Sequence, residues 1–138
     1  MDARRDTYYA IACESKPGAL AQINADLMQA KVCLLGIWGF DRQNAQSEVY
    51  VIPEDNDTFK SVAAKKGWKI VEHACFRLEG EDSTGALVET LNMIAKRGIS
   101  LMAVDAITLG GQFGCYLWPK DEDVQELEEV LGLRSFLA

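Results

Sequence analysis

The chain has 138 residues, a formal net charge of −7 and an apolar fraction of 49%. This length suits one ordinary domain or two very small ones, and the apolar fraction supplies a core and argues against disorder. Nucleic-acid binding is disfavoured because it needs clustered Lys and Arg side chains, which are few here. The sequence shows neither a run of roughly 20 apolar residues nor a signal-peptide pattern, so we expect a cytoplasmic protein without a membrane partner.

The first half of the chain predicts the element order β-α-β-β-α-β. After the turn Ser15–Gly18, apolar residues at three- and four-residue steps predict an amphipathic helix, and Pro17 suits its first turn. Asp55 or Asp57 caps a second predicted helix, which stops at Gly67. The apolar stripe of the first helix comprises Leu20, Ile23, Leu27 and Ala30. The predicted strands are 8–14, 32–40, 48–52 and 68–72.

The second half predicts the same order. A strand at 74–78 precedes a helix striped by Leu87, Leu91, Ile94 and Ala95. Two strands, 99–109 and 113–118, flank a Gly-Gly turn that is a hairpin signal. A last helix over 124–131 ends at Gly132, which leaves Leu133–Ala138 for a short final strand.

The two halves resemble each other in sequence. At an offset of 67, KPGAL (Lys16–Leu20) aligns with STGAL (Ser83–Leu87), and at 66 YVIPED (Tyr50–Asp55) aligns with YLWPKD (Tyr116–Asp121). Blocks that recur in one order predict a tandem duplication. We therefore expect two domains, 1–72 and 73–138. Each is predicted to be α+β: a ferredoxin-like split βαβ unit with its helices on one face of an antiparallel sheet.

The central hairpin strands do not alternate between apolar and polar residues, as a sheet with one wet face should. The runs Val32–Trp38 and Leu101–Val104 are almost continuously apolar. Both faces of these strands are therefore expected to be covered, one by helices and the other by a second chain or the sibling repeat. We infer at least a homodimer.

The inventory of reactive residues does not assemble into an enzyme. The single histidine, His73, lies at the junction of the two halves, and the sequence contains no nucleophile-elbow, P-loop or zinc-protease motif. Cys13, Cys33, Cys75 and Cys115 form no Cys-x-x-Cys pair and lie in apolar runs typical of buried free thiols. We predict no catalytic residues, no metal and no cofactor.

The repeated turn is the remaining candidate site. A glycine at a helix start lets a ligand approach the backbone, and the free N–H groups of the first helical turn bind a carboxylate. A polar residue precedes the turn in both halves, Ser15 in one and Asp82 in the other. An Asp at that position can receive an ammonium group, so the pattern suits an α-amino acid. An ordinary helix start uses the same residue types, and the residues alone leave both interpretations open.

The succession of predicted elements resembles an ACT domain: a strand, a Pro-Gly-Ala-Leu turn, an apolar-striped helix, a hairpin, a second helix and a strand. The resemblance covers about Tyr8–Ala138 and implies a stand-alone pair of regulatory domains. It also implies that amino acids or similar small ligands bind between the first loop of one domain and the second strand of its neighbour. In the first loop Ser15 departs from the usual Asp or Asn, whereas Asp82 matches that position and favours the second loop as the site. The second half departs from the family in two other ways: Thr84 replaces the proline, and the last strand is short.

The resemblance implies a set of ligand-binding positions in each half. In the first they are Ser15, Pro17, Gly18, Ala19, Leu20, Ile37 and Trp38, and in the second Asp82, Ser83, Gly85, Ala86, Leu87, Val104 and Asp105. The expected function is a non-enzymatic amino-acid sensor, either free or docked on a biosynthetic enzyme, with acetolactate synthase a candidate on family grounds. Two alternatives stay open: a small enzyme with an unrecognised interface site, and a ligand-free structural module.

Overall fold

The computed structural model describes residues 1–42, 46–81 and 84–133. Its strands are β1 (Asp2–Glu14), β2 (Leu34–Arg42), β3 (Gln46–Pro53), β4 (Ile70–Glu81), β5 (Leu101–Leu109) and β6 (Gln112–Pro119). Its helices are α1 (Ala19–Gln29), α2 (Asn56–Lys66), α3 (Thr84–Lys96) and α4 (Val124–Val130), with a 3₁₀ turn at Asp121–Asp123. Within these ranges, every helix is too short or too polar to cross a membrane.

Contacts divide the chain into a first unit, Thr7–His73, and a second unit, Met1–Asp6 together with Ala74–Ala138. The strand order is β2-β3-β1-β4 in the first unit and β1-β4-β6-β5 in the second, each unit using its own part of β1 and β4. The hairpins β2–β3 and β5–β6 are antiparallel. The predicted α+β class with antiparallel pairing is confirmed, whereas the domain ranges 1–72 and 73–138 stay a prediction.

The segment beside β4 in the second unit is the start of the chain, for which the sequence predicts no strand. Arg77 Nε lies 3.5 Å from Asp6 Oδ2, and a Cβ on Gly80 would lie 3.5 Å from the Cα of Met1. Ala3 packs against the core of this unit. Of the predicted final strand, Leu133 lies outside any strand and residues 134–138 fall outside the described ranges.

A second difference concerns the junction of the two halves. The sequence predicts separate strands at 68–72 and 74–78, with His73 at the junction between them. The structure has one strand, β4, and the ring of His73 stacks on Tyr8 at 5.2 Å between centroids. Only His73 lies between the two predicted strands, and no Gly or Pro stands there to interrupt the extended backbone.

The first unit packs both helices against one face of its strands. Its buried cluster joins β1, β3, α1 and α2, and Tyr9 and Phe59 have ring centroids 4.6 Å apart. The predicted caps of α2 are confirmed: the Asp55 side chain accepts a hydrogen bond from the backbone N–H of Thr58 at 3.1 Å, and Gly67 ends the helix with φ 70°. In α1 the predicted stripe holds for Ile23 and Leu27, which are buried.

The remaining stripe residues, Leu20 and Ala30, are exposed. The second unit has a corresponding core built on β4, α3, β6 and α4. The hairpin strands β2 and β5, predicted to be covered on both faces, each lie at the end of the strand order of their unit and expose large apolar side chains. Ile37 is 37% exposed and Val104 is 41% exposed. Their burial by a partner chain stays a prediction.

Candidate functional site

The loop between β1 and α1 is a type II turn. Ala19 N–H donates to the Lys16 carbonyl at 3.3 Å, and Gly18 has φ 84° and ψ −8°. A type II turn places proline second and needs a positive φ at the third residue, which Pro17 and Gly18 supply. The helix begins at Ala19, so the expectation that Pro17 belongs to the first helical turn is wrong.

The matching sequence in the second half folds differently. There α3 begins at Thr84, and Gly85 lies inside the helix without a positive φ. Thr84 stands where the first half has the proline of the turn, and a proline is what presets that turn. The expectation that one turn is written twice is therefore wrong. The predicted site residues Asp82 and Ser83 fall outside the described residues.

A cleft of about 370 Å³ opens beside the β1–α1 loop of the first unit. Its walls come from three segments of the chain. They are the end of β1 with the following loop and the start of α1, the end of β2, and the start of β3. The lining residues are Cys13, Glu14, Ser15, Lys16, Pro17, Ala19, Leu20, Gly39, Phe40, Asp41, Ser47, Glu48 and Val49. Four of the predicted positions, Ser15, Pro17, Ala19 and Leu20, meet here.

Asp41 lies at the meeting point of the loop and the hairpin. Ser15 Oγ donates a hydrogen bond to Asp41 Oδ1 at 2.8 Å, and Ser47 Oγ donates to the same oxygen at 3.4 Å. Asp41 and Ser47 are direct partners in the antiparallel register of β2 and β3, which places their side chains on the same face. The hairpin therefore holds one hydroxyl and the loop holds the other.

Carboxylates outnumber amines among the described residues of the cleft. These carboxylates are Glu14, Asp41 and Glu48, and the amine is Lys16, whose Nζ lies 3.7 Å from Glu14 Oε2. Glu48 Oε2 accepts a hydrogen bond from the Tyr50 hydroxyl at 2.8 Å. An excess of carboxylates favours a group that carries positive charge. The α1 N-terminus at the same cleft has no side-chain cap, so its first-turn N–H groups are suited to an anion.

Apolar surface completes the cleft. Leu20 is 44% exposed and Phe40 is 37% exposed, while Val49 is buried. Burial raises the pKa of the Cys13 thiol, which therefore stays protonated near neutral pH and is a poor nucleophile. The cleft thus combines an anion-binding helix start, a carboxylate rim and an apolar wall.

Of the other predicted residues that the structure describes, Gly18 belongs to the loop beside the cleft and the rest are absent from its lining. Trp38 places its ring over Gly36, where any side chain would clash with it. The strand wall of this cleft is formed by Gly39, Phe40 and Asp41 of the same unit, whereas the resemblance implied that Ile37 and Trp38 face the loop of a neighbouring domain. In the second unit Leu87 packs against the core and Asp105 Oδ2 accepts from Trp118 Nε1 at 2.7 Å. Gly85 and Ala86 lie in α3, and Val104 is exposed in β5.

Sequence reasoning missed Phe40, Asp41, Ser47 and Glu48. A usable signal was present, because Asp41 and Ser47 flank the polar turn of the predicted hairpin and end opposite each other once the strands pair. The cysteine prediction holds for Cys75 and Cys115, which are buried, and is wrong for Cys33, which is exposed. Among the described residues, no group of three His, Cys, Asp or Glu side chains is placed to hold a metal ion.

The chain matches no family model. It also matches none of the curated proteins. Solved structures are similar in fold. The protein BT0572 of Bacteroides thetaiotaomicron has a TM-score of 0.81 at 16% identity, covering 94% of this chain and 88% of that one. The regulatory subunit of aspartate kinase from Thermus thermophilus has a TM-score of 0.59 at 12% identity, with 94% of each chain covered.

A structure of aspartokinase alpha and beta subunits gives a TM-score of 0.59 at 14% identity, with 95% of each chain covered. At these identities the likeness shows the fold alone. This chain has the α+β, ACT-like fold that is found in regulatory subunits of aspartate kinase.

Proposed function

We propose that this chain is a regulatory protein that binds an amino acid or a similar small ligand in the cleft of its first unit. The cleft between the type II turn, the start of α1 and the β2–β3 hairpin carries this proposal. An α-amino acid has a carboxylate for the helix start, an ammonium group for the carboxylate rim and a side chain for the apolar wall. The three features lie around one opening.

The fold supports a regulatory role over a catalytic one, since the similar structures include regulatory subunits of aspartate kinase. We extend the proposal to a cytoplasmic homodimer built from a tandem repeat, 1–72 and 73–138, that acts on a biosynthetic enzyme. Acetolactate synthase and aspartate kinase are the two candidates. Regulation requires that the ligand binds two arrangements of the protein with different affinity, because only that difference shifts their populations.

Thermal unfolding of the full chain against each common L-amino acid at millimolar concentration tests the proposal. A ligand at 100 times its dissociation constant adds about 2.7 kcal/mol to the free energy of unfolding. For a chain of this size that raises the melting temperature by roughly 2–4 °C per kcal/mol. We expect a rise with one amino acid or a few related ones.

The control variant is Leu20→Glu, which places a further carboxylate on the exposed apolar wall of the cleft. It should abolish the ligand-dependent rise and leave the unliganded melting temperature nearly unchanged. An unchanged melting temperature with every amino acid would contradict the proposal and favour the ligand-free structural module. Turnover of a bound compound without any added enzyme would favour the small-enzyme alternative.

A further inference from the structure

We infer that Asp41 is the residue that receives the ammonium group of the ligand, and that Ser15 and Ser47 are positioning residues that hold its carboxylate. This inference rests on the proposed function. It moves the ammonium-binding role from the loop position, where the ACT resemblance placed it, to the end of β2.

The hydrogen bonds to Asp41 support the assignment. Both hydroxyls donate to the same oxygen, Oδ1, one from the loop and one from β3. A carboxylate offers about four acceptor sites on two oxygens, so two hydroxyl donors leave capacity for an ammonium group. Because the donors come from separate elements, they fix the orientation of the carboxylate before any ligand arrives, which lowers the cost of ordering it on binding.

The other carboxylates of the cleft are engaged differently. Glu14 and Asp41 are both exposed, but Glu14 lies 3.7 Å from the amine of Lys16, which offsets its charge. Glu48 accepts from the Tyr50 hydroxyl at 2.8 Å and is directed along its own strand. Asp41 accepts hydrogen bonds from two hydroxyl groups, and it lines the same cleft as the start of α1.

The internal sequence comparison provides a separate argument. At the offset of 67, Ser15 aligns with Asp82 and Asp41 aligns with Thr108. Both halves therefore carry one hydroxyl and one carboxylate at the same two aligned positions, but with the residue types exchanged. The exchange indicates that the pair is the functional element. It also explains why the first half carries Ser at a position where an acidic or amide residue is usual in the family that the chain resembles.

Calorimetric titration of the full chain tests the inference. The probes are the L-amino acid that most raises the melting temperature and the α-hydroxy acid with the same side chain, which lacks the ammonium group. We expect wild type to prefer the amino acid by about tenfold or more, as a charge-assisted hydrogen bond allows. In Asp41→Asn this preference should fall to within about twofold. Glu54→Gln, which removes an exposed carboxylate outside the cleft, should keep the full preference.

The positioning role has its own readout. Ser15→Ala should lose part of the preference for the amino acid, and Ser15→Thr, which keeps the hydroxyl, should restore it. If wild type binds an amino acid and Asp41→Asn keeps its preference, the inference is overturned and the proposed function stands. If wild type binds neither probe nor any other amino acid, the proposed function fails and the inference fails with it.

Discussion

At the scale of single residues, the two glycines of the repeated Gly-Ala-Leu sequence have different tasks. Gly18 has a positive φ in the type II turn, and Gly85 lies within helix α3. Among the described residues beyond its chain neighbours, neither has a heavy atom within 4 Å of the place where a Cβ would stand. The effect of adding a methyl group therefore depends on backbone conformation and not on crowding.

We expect Gly18→Ala to lower the free energy of unfolding by about 1–2 kcal/mol, because an L-residue is strained at positive φ. We expect Gly85→Ala to raise it by about 0.5–1 kcal/mol, because alanine loses less entropy in a helix than glycine does. Urea unfolding of both variants measures the difference. Changes of the same sign would show that the two glycines share one conformation, contrary to the structure.

At the scale of elements, the start of β1 is the least expected part of the fold. Asp2–Asp6 lies beside β4 in the second unit, with Asp6 near Arg77 and Arg5 Nη1 donating to Glu128 Oε1 at 3.2 Å. Desolvation raises the pKa of the Asp6 carboxyl above its usual value, and the charge of Arg77 opposes that rise. The charge of Arg77 therefore offsets only part of the cost of burying this carboxyl, and packing of Ala3 against the core of the second unit also holds the segment in place.

Replacing Ala3 with Asp should therefore loosen this segment. A carboxylate placed against the core of the second unit is expected to cost about 1–3 kcal/mol. Ala12→Asp is the matched control, since Ala12 is exposed on the same strand. Hydrogen exchange read by mass spectrometry should show lost protection at Cys75–Glu81 in Ala3→Asp and wild-type protection in the control. Unchanged protection in Ala3→Asp would mean that the segment contributes little to the second unit.

The elements that sequence predicted well are those decided locally. Helix α2 begins at the side-chain cap of Asp55 and ends at Gly67, whose backbone has a positive φ. Both hairpins follow from turn residues and β-formers in the local sequence. The N-terminal strand was missed because its pairing partner is more than 70 residues away in the chain, and because Asp2–Asp6 carries charges without apolar alternation. Asp41 was missed for a related reason: its role depends on Ser15, which the fold brings near it.

At the scale of the whole molecule, the two halves repeat one pattern of burial. Residues 3–14 of β1 and 70–81 of β4 show the same succession of buried, half-buried and exposed positions, and β3 and β6 likewise share one succession. The register shifts of the two hairpins fall at Leu34/Gly36 and Leu101/Ala103, which are 67 residues apart. These correspondences support the proposed duplication. They also imply that β2 in the first half and β5 in the second are exposed in the same way.

That strand is the basis for the expected dimer. In each half it stands last in the strand order of its unit and carries exposed apolar residues, with Ile37 in β2 and Val104 in β5. A strand with unpaired backbone groups and apolar side chains is a template for pairing with another chain. We therefore expect light scattering at micromolar concentration to give the mass of a dimer. Ile37→Lys or Val104→Lys should shift it to that of the monomer.

The matched control for the dimer is Val88→Lys. Val88 is 54% exposed, more than either edge residue, but it lies in helix α3 and not in a strand. If exposed apolar area alone drove association, this variant would dissociate the dimer as well as the others. If strand edges drive it, Val88→Lys stays dimeric while an edge variant does not. A monomeric mass for wild type would exclude the dimer and leave the cleft of the first unit to bind its ligand within one chain.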